Sequence, residues 1–208
     1  MAAQRKPRYT LAEYLELDRT SEERFEYWDG EIFAMSGASE SHLEIEANLV
    51  VQFRAALAGR NCRVFTANAR ITVPTAPPYR YADLSVLCGK AEFEEIGGVD
   101  ALTNPTLLIE ILSPSTEAYD RGDKFSRYQS IPSFREYWLV AQHRPHVTQL
   151  VRQDDGAWLL REFNSLDDVV KSPALDCELA VRDIYQGVSF PAESSEPPPE
   201  PTPHSKVN

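Results

Sequence analysis

The stretch Thr106-Leu107-Leu108-Ile109-Glu110-Ile111-Leu112 constrains this chain more than any other. An apolar run of strand length with a single interruption predicts a central strand covered on both faces, which requires helices or loops on each side of a sheet. Ser113-Pro114-Ser115-Thr116 ends the run, and residues 117–130 then carry helical spacing, with Ser113 and Ser115 placed to cap that helix. A second run, Tyr81-Ala82-Asp83-Leu84-Ser85-Val86-Leu87, reads as a neighbouring strand.

The other elements fit around these two. Thr10-Leu11-Ala12-Glu13 is a capping box opening a short helix to about Leu17. Residues 24–35 read as a hairpin about Asp29-Gly30. A long helix is expected over 41–58, with Leu43, Ala47, Val50, Phe53 and Leu57 on its buried face. Strands are expected at 63–66, 70–73 and 135–140, a second hairpin at 146–163 about Asp154-Asp155-Gly156, and a short helix at 181–186. This order predicts an α/β fold with a central mixed sheet flanked by helices, in one domain over residues 1–190. Residues 191–208 hold six prolines and almost no large apolar side chains, so a disordered tail is expected there.

Several function classes recede on composition. The net charge of −11 argues against coating nucleic acid by bulk electrostatics, although a local grip on phosphate survives it. No run reaches the length of a membrane span, and residues 1–7 hold no apolar signal segment, so a membrane role is not expected. Cys62, Cys88 and Cys177 lie far apart and form no C-x-x-C pair, which sets the expectation of no disulfide scaffold and a cytoplasmic location. No glycine-rich phosphate loop or Gly-x-Ser-x-Gly elbow is present, so neither a nucleotide cofactor nor serine catalysis is expected. His143 and His146 flank Pro145 without metal-like spacing and read as loop residues, and His204 falls in the tail.

Asp83 and Glu110 stand out because each interrupts an apolar strand, where an unpaired carboxylate is costly. Each could pair with an arginine or face solvent; alternatively, adjacent strands could bring them together on a divalent ion. Asp120, Lys124 and Tyr128 recur at i, i+4 and i+8 and share a face of the following helix, so Lys124 could reach those carboxylates. Glu26, before the Asp29-Gly30 turn, and Glu46, on the long helix, are further candidate acids; His42 begins that helix and could cap it, pack, or move a proton.

Taken in order, Tyr81-Ala82-Asp83-Leu84-Ser85-Val86, the block from Asn104 through Glu110-Ile111-Leu112-Ser113-Pro114-Ser115-Thr116, the trio Asp120, Lys124 and Tyr128, and Arg135-Glu136-Tyr137-Trp138-Leu139-Val140 resemble the Uma-two family, within the PD-(D/E)XK nuclease superfamily. Phe25-Glu26-Tyr27-Trp28-Asp29-Gly30-Glu31-Ile32 and His42 resemble its N-terminal blocks, and the likeness spans about Tyr9 to Phe190. The resemblance implies a restriction-endonuclease-like αβββαβ core with an extra N-terminal and an extra C-terminal hairpin. It also implies a Mg²⁺ or Mn²⁺ site made by Asp83, Glu110 and the Ile111 carbonyl with Glu26 nearby, DNA as substrate, a homodimer, and His42 and Lys124 beside the two acids as catalytic groups. Two departures stand out: Ala82 replaces the proline before the first acid, and Leu112 occupies the position of the superfamily's lysine. The resemblance suggests that Lys124 substitutes from the helix. The alternative is a catalytically silent nuclease fold acting as a binding or scaffold module, which predicts a Lys124 turned to solvent.

Overall fold

A computed structural model describes residues 8–23, 25–34 and 37–190. The tail expected over 191–208, residues 1–7 and His204 lie outside the described residues, as do positions 24, 35 and 36 around the first hairpin.

Helix α1 spans Leu11–Thr20, with Thr10 and Glu13 exchanging the bonds of a capping box. β1 (Phe25–Trp28) and β2 (Glu31–Ala34) then form a hairpin whose corner residues Asp29 and Gly30 both take positive φ, at 42° and 88°. Helix α2 runs from Glu40 to Ala56. Its buried stripe is Ile45, Leu49 and Phe53, continued by Leu57, rather than the one expected from Leu43 and Ala47. Both sets have helical spacing. Leu43 is 55% exposed because its face of the helix opens onto a cleft, not onto the sheet.

The main sheet has six strands: β3 (Cys62–Thr66), β6 (Leu84–Cys88), β9 (Leu107–Leu112), β10 (Glu136–Ala141), β11 (Val147–Arg152) and β12 (Trp158–Phe163). Their order is β12-β11-β10-β9-β6-β3, and only β9 and β10 run parallel. The connection between those two is the helix expected at 117–130, which is built in three pieces: α3 (Glu117–Tyr119), a π-helical segment (Asp120–Lys124) and α4 (Phe125–Tyr128). The serines before it do not cap it; Ser113 Oγ instead bonds Ser115 Oγ and Thr116 Oγ1. A smaller sheet orders β5 (Arg80–Tyr81), β4 (Arg70–Ile71), β8 (Val99–Leu102) and β7 (Phe93–Ile96), and β13 (Val169–Ser172) pairs with β14 (Cys177–Ala180) before α5 (Val181–Ile184). The chain is therefore a mixed-sheet α/β fold, with α2, β3, β6, β9, the 117–128 helix and β10 in the αβββαβ order.

All six residues of β9 are buried, and alternation assigns them to two cores. Leu107, Ile109 and Ile111 pack with Trp138 and the Ile45–Leu49–Phe53 stripe, while Leu108 and Leu112 pack with Tyr128, Phe134 and Tyr137 under the 117–128 helix. Glu110 shares the parity of the second set and so faces the helix that carries Lys124.

Two further expectations need correction. Residues 81–87 are not one strand: Tyr81 pairs with Arg70 in the small sheet, Leu84 pairs with Ile109 in the large one, and the chain changes sheets at Ala82-Asp83. Cys62 and Cys88 are disulfide-bonded, leaving Cys177 as the free thiol, because antiparallel pairing sets the two residues directly opposite each other. Distance along the sequence was no guide to distance across strands. His146 lies in the loop before β11, as expected, and is buried there; its ring bonds Asn164 at 2.6 Å and Thr148 at 3.0 Å. Among the described residues, no helix is long and apolar enough to cross a membrane.

Candidate active site

Where β6 and β9 come alongside the start of α2 and the 117–128 helix, a cleft of about 590 Å³ opens. Asp83, Glu110, Ile111, Lys124, His42 and Glu26 all line it, and so does Glu46. These residues come from five separate segments of the chain, and the cleft is where the topology joins them.

Asp83 owes its position to the change of sheets. The ladder between β6 and β9 stops at Leu84, and the Asp83 side chain continues it, its Oδ2 accepting the Ile111 amide at 2.6 Å. Its other oxygen, Oδ1, lies 3.3 Å from His42 Nε2. Glu110 is deeper. Its Oε2 is 2.9 Å from Lys124 Nζ and its Oε1 accepts the Tyr128 hydroxyl at 3.1 Å. Lys124 is also 3.4 Å from Asp120, and it is only 8% exposed. Asp120, Lys124 and Tyr128 thus do converge on Glu110, although a π-helical segment carries two of them. Glu26 Oε1 accepts the Tyr81 amide at 3.3 Å, and Tyr119, whose position no spacing in the sequence singled out, lines the cleft beside it.

Electrostatics follows from this crowding. Burial pushes the Glu110 carboxyl well above the usual carboxylate range, and Asp120 and Asp83 push it further against the pull of Lys124. Asp120 is raised by burial too. For Lys124, burial alone would favour the neutral amine, but Glu110, Glu26 and Asp120 outweigh it and hold the ammonium charged. His42 is opposed by burial in the same way, yet Asp83, Glu46 and Asp120 raise it above its ordinary value.

The pairing of His42 with Asp83 depends on pH. The folded value of His42 is raised, so its pairing with Asp83 adds stability that is complete below the unfolded value of about 6.5 and is lost as pH rises through the folded one. A proton NMR titration should therefore place the His42 midpoint above the ordinary histidine range, and Asp83→Asn should lower it. An unchanged midpoint in the variant would refute the pairing.

The donor set suits a hard divalent cation in kind. Asp83, Glu110, Glu26 and Glu46 offer carboxylate oxygens and Ile111 a carbonyl, the ligands that Mg²⁺ and Mn²⁺ prefer. The mutual repulsion that raises Glu110 is also what such an ion relieves. Among the described residues, however, no three His, Cys, Asp or Glu side chains already converge as a ligand group.

The Uma2 family, described as "Putative restriction endonuclease", matches residues 11–182. An uncharacterized protein of Synechocystis sp. is 33% identical over 184 residues, which is 88% of this chain and 95% of the relative. A second from the same organism is 32% identical over 154 residues, covering 74% of this chain and 86% of the relative. A crystal structure from Anabaena variabilis, described as a "putative nuclease belonging to DUF820", superposes with a TM-score of 0.68 at 23% identity, covering 85% of this chain and 97% of that one. At that identity the match speaks to the fold.

Proposed function

The chain belongs to the Uma2 family, and on that premise we propose that it is a divalent-metal-dependent endonuclease hydrolysing phosphodiester bonds of DNA. The observation that carries the reading is the Lys124 ammonium 2.9 Å from Glu110, inside the cleft, although the lysine position after Glu110 is filled by Leu112.

In this reading Asp83, Glu110 and the Ile111 carbonyl, with Glu26 beside them, are the groups that would hold Mg²⁺ or Mn²⁺. The ion, when bound, supplies a water of lowered pKa and offsets charge on the phosphate. Lys124 orients the attacking water and faces the negative charge that develops on the phosphoryl oxygens. Tyr128 and Asp120 hold Lys124 and Glu110 in register. His42, protonated against Asp83, is placed to pass a proton at the cleft mouth. Water adds to phosphorus and the bond to the 3′ oxygen breaks, leaving a 5′-phosphate and a 3′-hydroxyl. The working form is taken to be a cytoplasmic homodimer; its support is the two-fold symmetry of the duplex and the location of the substrate, not the cysteines.

Calorimetric titration of Mg²⁺ and Mn²⁺, beside incubation with supercoiled plasmid, tests the reading. Ion binding and nicking should both vanish in Asp83→Ala/Glu110→Ala. One observation favours a silent binding module instead: Glu110 has a partner on both oxygens, and so does Asp83. A wild-type protein that takes up no ion and leaves plasmid intact would select that module.

A further inference from the structure

We propose that Arg80 and Arg127, gathered on the ring of Trp28, form an anion site for a backbone phosphate of DNA lying across the cleft, separate from the phosphate being cut. The proposal rests on the nuclease reading above.

Each of the three residues sits one short step from a cleft residue. Trp28 is two positions after Glu26 on β1 and so projects from the same face of that strand. Its ring meets the ring of Tyr119, a cleft residue, edge-on at 5.1 Å. Arg127 is three positions after Lys124, on the same side of its helix. Arg80 is three positions before Asp83.

Both guanidinium groups lie over the indole, Arg127 at 4.2 Å and Arg80 at 5.2 Å from the ring centroid. Arg80 is only 3% exposed; its hydrogen bond goes to the carbonyl of Tyr79, and its Nε, like that of Arg70, is buried with no acceptor. Arg127 likewise donates to a carbonyl, that of Thr75, at 2.8 Å. Among the described residues, neither is paired with a carboxylate.

The same fold shows what a merely structural arginine–aromatic cluster looks like. Arg70 lies over Tyr79 and Tyr81, and there Asp18 neutralises it at 2.9 Å. At Trp28, among the described residues, no such acid pairs with either arginine. Two like charges held together without a carboxylate partner fit an oxyanion that brings the negative charge and further acceptors. A phosphodiester supplies these, and the cleft alongside supplies the reason for one to be there. With the ring occupied by cations, phosphate rather than base stacking is the contact on offer.

The test is binding of a short fluorescein-labelled duplex, with Ca²⁺ in place of the catalytic ion, across about 50–200 mM salt. Wild-type affinity should fall steeply with salt. Arg127→Gln should weaken binding about tenfold and flatten the log–log salt slope by about 0.9, the loss of one phosphate contact. Arg127→Lys should restore most of the slope, and Arg54→Gln, at the exposed far end of α2, should change neither quantity. Arg80→Gln is the less safe variant because Arg80 is buried, so Arg127 carries the test. If Arg127→Gln binds like wild type, the anion site is overturned while the nuclease reading stands. A wild type that binds no duplex at any salt overturns both.

Discussion

Lys124→Met is expected to cost about 3–5 kcal/mol of stability at neutral pH, because it leaves Glu110 buried beside Asp120 and Asp83 without its cation. For a chain of this size that is roughly 10 °C in Tm. Plasmid nicking should fall at least about a hundredfold, the usual effect of removing a cation aimed at developing oxyanion charge. The pH dependence has a definite sign. Removing Lys124 takes away what holds the Glu110 carboxyl down, so its folded value climbs further above the unfolded value of about 4.5. A raised carboxyl withdraws stability as pH rises from its unfolded to its folded value, so the gap between variant and wild type should narrow in acid. Adding Glu110→Gln should recover most of the lost stability but none of the activity. Thermal melts at two pH values decide the matter: a variant as stable as wild type at both would remove the buried ion pair from the account.

Glu136→Ala should be the most damaging substitution away from the cleft, at about 3–5 kcal/mol. Glu136 is completely buried, with Trp138 Nε1 and Gln149 Nε2 each donating to Oε1 at 2.6 Å. Its Oε2 accepts Ser172 Oγ at 2.7 Å and the Ala174 amide at 3.3 Å, which ties the β13–β14 hairpin to the central sheet. Burial raises this carboxyl and the four donors partly offset that, so its charge lowers stability as pH climbs from about 4.5 through the folded value. Urea unfolding measures the loss. Nicking should persist wherever the variant is still folded, and a loss under about 1 kcal/mol would show that the network is replaceable.

Glu136 also shows where reading the sequence reaches its limit. By strand context alone Asp83, Glu110 and Glu136 are the same signal, a carboxylate set among large apolar residues. What separates them is which side chains arrive from elsewhere: Lys124 and Tyr128 at Glu110, His42 at Asp83, and Gln149 with Ser172 at Glu136. Buried β9, both terminal hairpins and the helix after β9 were legible because period and turn chemistry are local. The buried stripe of α2 differs from the expected one because Leu43 and Ile45 have equal claims until the cleft assigns one to solvent. The change of sheets at Ala82-Asp83 left no trace in a run that reads as one strand. By contrast, β7 and β8 could have been found, since Gly97-Gly98 between two short runs is a hairpin signal. The π-helical segment at Asp120–Lys124 has no spacing signature at all.

The parallel pairing of β9 with β10 imposes an order of events during synthesis. A ribosome finishes β9, with Glu110 inside it, twelve residues before it makes Lys124 and longer still before it makes the strand that flanks β9 on its other side. Until then β9 has one hydrogen-bonded neighbour in β6, and its glutamate has no counterion. Parallel pairs close late because the crossover must form first. The nascent chain therefore keeps Glu110 hydrated until the helix and β10 arrive together. A chain cut short between Leu112 and Lys124 carries both acids without the cation that pairs with Glu110.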